Sequence, residues 1–118
     1  MQEFMLFIKT TGDHLTSLSP EQQQAHVQKI GVYIGGLIEA GKLKGAQPLE
    51  LNGAIVHGKD GVFKDGPFIE SKEVINGYFH IVAENVDEAI GIAKANPIFE
   101  EEETIIEIRP IKHVEGIN

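Results

Sequence analysis

"NGYFHIVAENVDEAIGIAKANP", residues 76–97, changes its hydrophobic period halfway along. Tyr78 to Ala83 alternates, with Tyr78, His80 and Val82 on one face and Phe79, Ile81 and Ala83 on the other, which is the period of a strand. From Val86 the period is helical, with Val86, Ala89, Ile90 and Ala93 on one stripe. Asn85 stands where a helix N-cap is wanted, Glu88 follows three residues later, and Asn96-Pro97 stops the run. A strand feeding straight into a helix sets the second half of the fold.

The first half repeats the theme. Phe4 to Lys9 reads as a short strand and "TTGDHLTSL" as the loop after it. Ser19-Pro20-Glu21-Gln22 supplies a cap, a proline at the first helical position and a glutamine to complete a capping box. Val27, Ile30, Ile34, Leu37 and Ile38 form the expected buried stripe, and Gly41-Lys42 the stop. Gly31, Gly35 and Gly36 lie inside this helix, each costing about 1 kcal/mol relative to alanine, which suggests a close approach to a sheet or to another subunit. Leu43 to Leu51 reads as extended. Ala54–His57 and Val62–Lys64 form a hairpin around Gly58–Gly61, and Thr104 to Ile111 is the closing strand, with Ile106 and Ile108 on one face and Ile105, Glu107, Arg109 and Ile111 on the other. The short acidic run Glu100–Glu103 reads as a solvated loop.

The order is β-α-β-β-α-β with an extra hairpin, a ferredoxin-like α+β arrangement in one domain spanning residues 1–118. Its helices cover one face of the sheet. The other face, carrying Tyr78, Val82, Ile105 and Ile111, is too apolar to stay wet, and a homodimer that forms an α/β barrel back to back is the expected cover.

Composition narrows the function. The 118 residues carry 42% hydrophobic and 24% charged side chains, as in an ordinary globular domain. A net charge of −8 repels phosphate backbones and acidic bilayers, so neither nucleic acid nor a membrane surface is an expected partner. The absence of cysteine excludes disulfides, thiolate metal sites and a cysteine nucleophile, and fits a reducing compartment. With Glu3 in place of a basic leader and no apolar run of bilayer length, a cytoplasmic location is expected. No HxH, HxxxH, HExxH, GxGxxG, Walker or GxSxG pattern occurs, so no metal or cofactor is expected.

The chemistry-bearing segment is "KDGPFIESKEVINGYFHI", residues 64–81, in which Asp65, Glu70, Lys72 and Glu73 crowd around Pro67 and Phe68. DGPF, then a glutamate, a Lys-Glu pair and Gly-Tyr heading a strand, resembles the YCII-related proteins and in particular their DGPF subfamily. The similarity runs on through VDEAIGIAKANP to IEIRPI, and upstream covers EFMLFI and the helix ending in EAGKL. The resemblance implies a ferredoxin-like dimeric barrel with a cleft near the interface. It also implies, for the better-studied members, a histidine on the first helix and an aspartate before a proline after the second, some of them isomerising or dehydrohalogenating unsaturated acids. This chain departs at both places: Asn96 stands at the aspartate position and Ile30 where the histidine falls, with His26 one turn earlier. The pair is therefore not carried over.

Two readings from different classes follow. One is a dimeric small-molecule-binding barrel without the His–Asp pair. The alternative is a proton-transfer enzyme, of isomerase or lyase type, acting on a small organic acid. For the enzyme, His80 or Asp65 is the base and Arg109 or Lys72 the anion anchor. Phe68, Glu70, Tyr78, Glu107 and His57 complete the candidate pocket. The bland counterpart is that Asp65, Glu70, Lys72 and Glu73 brace a turn and a subunit boundary as paired charges. His14, His26 and His113 read as solvent-exposed.

Overall fold

A computed structural model of the chain describes residues 1–10, 18–67, 74–101 and 103–118. The elements in order are β1 (Gln2–Thr10), α1 (Pro20–Glu39), β2 (Leu43–Pro48), β3 (Ala54–Lys59), β4 (Val62–Pro67), β5 (Val74–Ala83), α2 (Val86–Lys94), α3 (Ile98–Glu101) and β6 (Ile105–Pro110). Four of the strands form one antiparallel sheet in the order β2-β5-β1-β6, and β3-β4 form a separate two-stranded sheet. Among the described residues the larger sheet stays open: the single chain makes no closed barrel. Most of the loop "TTGDHLTSL", His14, and Phe68, Glu70, Lys72 and Glu73 lie outside the described residues.

The core is the face the alternation assigns. Phe4, Leu6 and Ile8 of β1 and Phe79, Ile81 and Ala83 of β5 meet Leu37 of α1, Ala89 and Ala93 of α2, and Ile98. Phe4, Leu6 and Ile81 are sealed from solvent.

Both helix starts are built as the sequence indicates. Gln22 N–H donates to Ser19 Oγ while Ser19 N–H donates to Gln22 Oε1. Glu88 N–H donates to Asn85 Oδ1. At the end of α1, Gly41 takes φ +72°, and the N–H groups of Gly41 and Lys42 return to the carbonyls of Ile38 and Leu37. A left-handed glycine thus satisfies two carbonyls that the helix leaves open.

Five details differ from the sequence expectation. The stripe of α1 is rotated: Val27 and Ile38 are both 61% exposed, and Tyr33 packs toward the core in their stead. No atom outside the helix backbone and chain neighbours lies within 4 Å of a Cβ added at Gly31, Gly35 or Gly36, so the sheet does not demand them. β5 begins at Val74 rather than Tyr78, because Asn76-Gly77 is absorbed in the strand: Ile8 pairs with Gly77 and Lys9 with Ile75, leaving Asn76 as the extra residue of a bulge. The hairpin turn is only Asp60-Gly61, at φ +52° and +80°, the pair of positive values that a two-residue hairpin turn requires. Finally, the acidic run is not all loop, since α3 takes in Glu100 and Glu101.

Tyr33 ties the helical layer together. Its hydroxyl donates to the carbonyl of Ile92 at 2.6 Å, and its ring meets Phe79 edge-on at 5.6 Å. Burial pushes the phenol up to about 12. Tyr33→Phe is expected to cost about 1 kcal/mol in urea unfolding and to remove a tyrosine transition near pH 12 in a spectrophotometric titration; an unchanged titration curve would place the raised phenol elsewhere.

Candidate functional site

β1 lies between β5 and β6, so its outward residues carry the partners of both. Met5 pairs with His80 on one side and Arg109 on the other; Phe7 pairs with Tyr78 and Glu107. The structure therefore brings His80, Tyr78, Glu107 and Arg109 onto one sheet face, opposite the helices. They form two ion clusters there. His80 Nε2 lies 2.9 Å from Glu3 Oε1, and His113 Nε2 lies 3.8 Å from the other oxygen of the same carboxylate. Lys9 Nζ donates to Glu107 Oε1 at 2.6 Å, and Arg109 Nη1 to Glu107 Oε2 at 3.2 Å. The Lys9 bond, and then the Arg109 bond, hold the Glu107 carboxyl below its ordinary range.

Asp65 and His57 stand elsewhere, both exposed on the β3–β4 hairpin, where Asp65 pairs with Val56 and His57 with Lys64. They do not share a ribbon face, because successive residues of a strand point oppositely. Phe68, Glu70 and Lys72 lie outside the described residues.

A concave site lies on the helix side of the sheet. A cleft of about 450 Å³ opens between the first half of α1 and the chain leaving β2. Ile8 and Phe79 line it from the sheet, Ile30 and Ile34 from α1, and Leu49 and Leu51 from residues 47–51. That wall is held by Leu49 N–H, which donates to the carbonyl of Asn76 at 3.0 Å. Asn76 lines the cleft as well, with its amide donating to Thr10 Oγ1. The bulge that makes Asn76 the extra residue thus places it there.

Polar groups are few: His26, Gln47, Glu50 and Asn76. His26 is buried, against the sequence expectation of an exposed side chain, and its Nδ1 lies 3.7 Å from Glu101 Oε1 on α3. That separation is too long for a hydrogen bond. Asn96 is also buried, and its Oδ1 accepts from Ile98 N–H at 3.0 Å. It therefore caps α3, and α3 carries the carboxylate facing His26. The signal for His26 was present in the spacing, since residues 26, 30, 33 and 37 repeat at helical intervals. Gln47 and Asn76 offered no comparable signal.

The cleft combines an apolar wall with an imidazole, two amides and a carboxylate, the make-up of a site that orients a small molecule by a few polar contacts. No group of three or more His, Asp or Glu among the described residues is placed to hold a metal ion. No helix among the described residues is long and apolar enough to cross a membrane.

The Glu107 cluster gives a pH prediction. A carboxyl lowered by folding stabilises the fold above its unfolded pKa and loses that contribution as pH falls through the folded value. Glu107→Gln should therefore melt below the wild type at neutral pH, with the gap closing below the ordinary carboxylate range; a gap independent of pH would assign the effect to packing.

With this geometry in place, comparison with known proteins supplies the family. The YCII-related domain matches residues 2–115, nearly the whole chain. No curated protein matches the chain significantly. The chain belongs to the YCII-related family.

Proposed function

We propose that this YCII-related chain binds a small, mostly apolar molecule in the cleft between α1 and the 47–51 segment. The observation that carries the reading is the cleft itself, about 450 Å³ in volume, apolar along Ile30, Ile34 and Phe79 and carrying the buried His26. A ligand there would desolvate against the wall and exchange hydrogen bonds with His26, Gln47 or Asn76. The residues first expected to form the pocket divide differently: His80, Tyr78, Glu107 and Arg109 belong to the opposite sheet face, with their charges already paired.

That opposite face supports the second part of the proposal, a homodimer. Phe7, Tyr78, Val82, Ile75 and Ile105 stand on it, Ile75 and Ile105 being 42% and 47% exposed. A second sheet laid against it would bury this surface and complete an α/β barrel, with the ion pairs at its margins. The strand order β2-β5-β1-β6, in which β5 runs between the two strands joined by α1, supports the ferredoxin-like description. The residues Asp65-Gly66-Pro67-Phe68 support placement in the DGPF subfamily, and the lack of cysteine a reducing, cytoplasmic setting.

One contact favours proton transfer as a second reading. With Glu101 at 3.7 Å, His26 can accept a proton from a bound ligand and share the resulting positive charge with the carboxylate. His26 then takes the role first assigned to His80 or Asp65. The small organic acid expected from the sequence remains one candidate ligand, and an isomerase or lyase reaction the corresponding chemistry.

Native mass spectrometry of freshly purified protein tests both parts. A dimer carrying a reproducible small adduct is expected, and Ile30→Trp, which fills the cleft, should lose the adduct while keeping its mass as a dimer. Retention of the adduct by Ile30→Trp at undiminished occupancy would move the site elsewhere.

A further inference from the structure

The β3–β4 hairpin is a described element whose apolar side chains the chain leaves in the open. Every residue from Ala54 to Asp65 is exposed, and Ile55, Val56, Val62 and Phe63 are 51%, 67%, 73% and 69% exposed. A lone two-stranded hairpin is at best marginally stable in water, and four large apolar side chains in the open make this one worse. Internal support is slight. Phe63 lies over Gly58, where an added Cβ would collide with the backbone carbonyl oxygen of Val62 as well as with the Phe63 ring, so the glycine is required for this close approach. Projection of the ribbon agrees with a radius of gyration of 16.4 Å, against about 13–14 Å for a compact domain of this length.

The register sorts the ribbon into two faces. Ile55, His57 and Lys59 share one with Val62 and Lys64; Val56 and Gly58 share the other with Phe63 and Asp65. The first face is apolar and basic, with two lysines, a histidine and no carboxylate. Over the whole hairpin, Lys59 and Lys64 balance Asp60 and Asp65, so the entire net charge of −8 lies outside it. The surface that suits this ribbon is apolar and acidic, and the rest of this same chain has that character.

We propose that the hairpin is an arm that docks on a second copy of the chain, laying the Ile55–Val62 face and its lysines against the partner. The inference rests on the dimer proposed above and adds its specific clasp. The arm is rooted at the edge of the sheet, because it joins the edge strand β2 to its neighbour β5. Six-residue strands reach about 20 Å, and a stacked sheet lies about 10 Å away, so the arm is long enough to pass the first sheet and lie along the second. Two-fold symmetry makes the contact reciprocal, each copy giving one arm and receiving one. In this arrangement Asp60-Gly61 sits at the tip, and the motif residues Asp65-Gly66-Pro67, which run in strand β4 rather than in a turn, sit at the root of the arm.

The dimer dissociation constant of the full chain, measured by sedimentation equilibrium, decides it. Two variants serve: Ile55→Glu with Val62→Glu, which spoils the apolar face, and Lys59→Glu with Lys64→Glu, which reverses its charge. Both are expected to weaken the dimer at least about tenfold, with circular dichroism and cleft binding unchanged. Dimers of unaltered affinity in both variants overturn the arm and leave the sheet-to-sheet dimer standing. A monomeric wild type overturns both. Variants that lose stability as monomers show the hairpin packed on its own sheet, and that too overturns the arm.

Discussion

The alternation along β1 is the constraint on which the other features depend. This strand is paired on both sides, with β5 and with β6, so its two faces are committed together. Phe4, Leu6 and Ile8 point to the helices and build the core; Glu3, Met5, Phe7 and Lys9 point away from them. A slip of one residue would exchange these sets and strand three large apolar side chains in water. The same register that hides the core therefore lines up Glu3 with His80 and Lys9 with Glu107, and it leaves Ile8 as a wall of the cleft.

Seen from β1, the protein has two different surfaces with different chemistry. On one, carboxylates lie against lysine, arginine or imidazole, and among the described residues the apolar side chains between them stay partly exposed. On the other, the helical layer does not close completely, and the gap between α1 and the 47–51 segment is the cleft. α2 is anchored at its start: Asn85 caps it, and Glu88 holds Lys42 at 2.5 Å just before β2. The Lys42 bond keeps the Glu88 carboxyl below its ordinary range. α1 reaches the core mainly through Tyr33, Ile34 and Leu37, in its second half. The stretch from His26 to Ile34 borders the cleft.

Local signals in the sequence carried most of this fold. Ser19, Asn85 and Gly41 act through hydrogen bonds to their own neighbours, so their roles are legible from a few residues. The strand faces of β5 and β6 were legible because period two admits only two assignments. What escaped depends on contacts distant in sequence. Nothing near Asn76 announces a bulge, since the bulge exists only relative to Ile8 and Lys9 of β1. The helix α3 owes its start to Asn96, which reads locally as the end of α2. His26 was misjudged because a histidine in a polar stretch of α1 looks exposed until Glu101 and Ile98 are placed against that side of the helix. The gathering of His80, Tyr78, Glu107 and Arg109 on one face was foreseen, whereas the contacts of His80 with Glu3 and of Glu107 with Lys9 were not.

Gly77 pairs with Pro48 in the register of β2 against β5, and a Cβ there would sit 3.2 Å from the carbonyl oxygen of Gln47. That oxygen belongs to backbone, which cannot swing aside as a side-chain tip does. The two strands can run this close only while the position is bare, and Gln47 is where the cleft wall begins. The spacing of that wall is thus set by the smallest residue of the sheet. Anyone reshaping the cleft for a different ligand inherits a fixed jaw and a movable one: the β2 side is locked to the sheet by Gly77, and useful variation lies along α1, at Val27, Ile30 and Ile34, where side chains can change size without disturbing strand pairing.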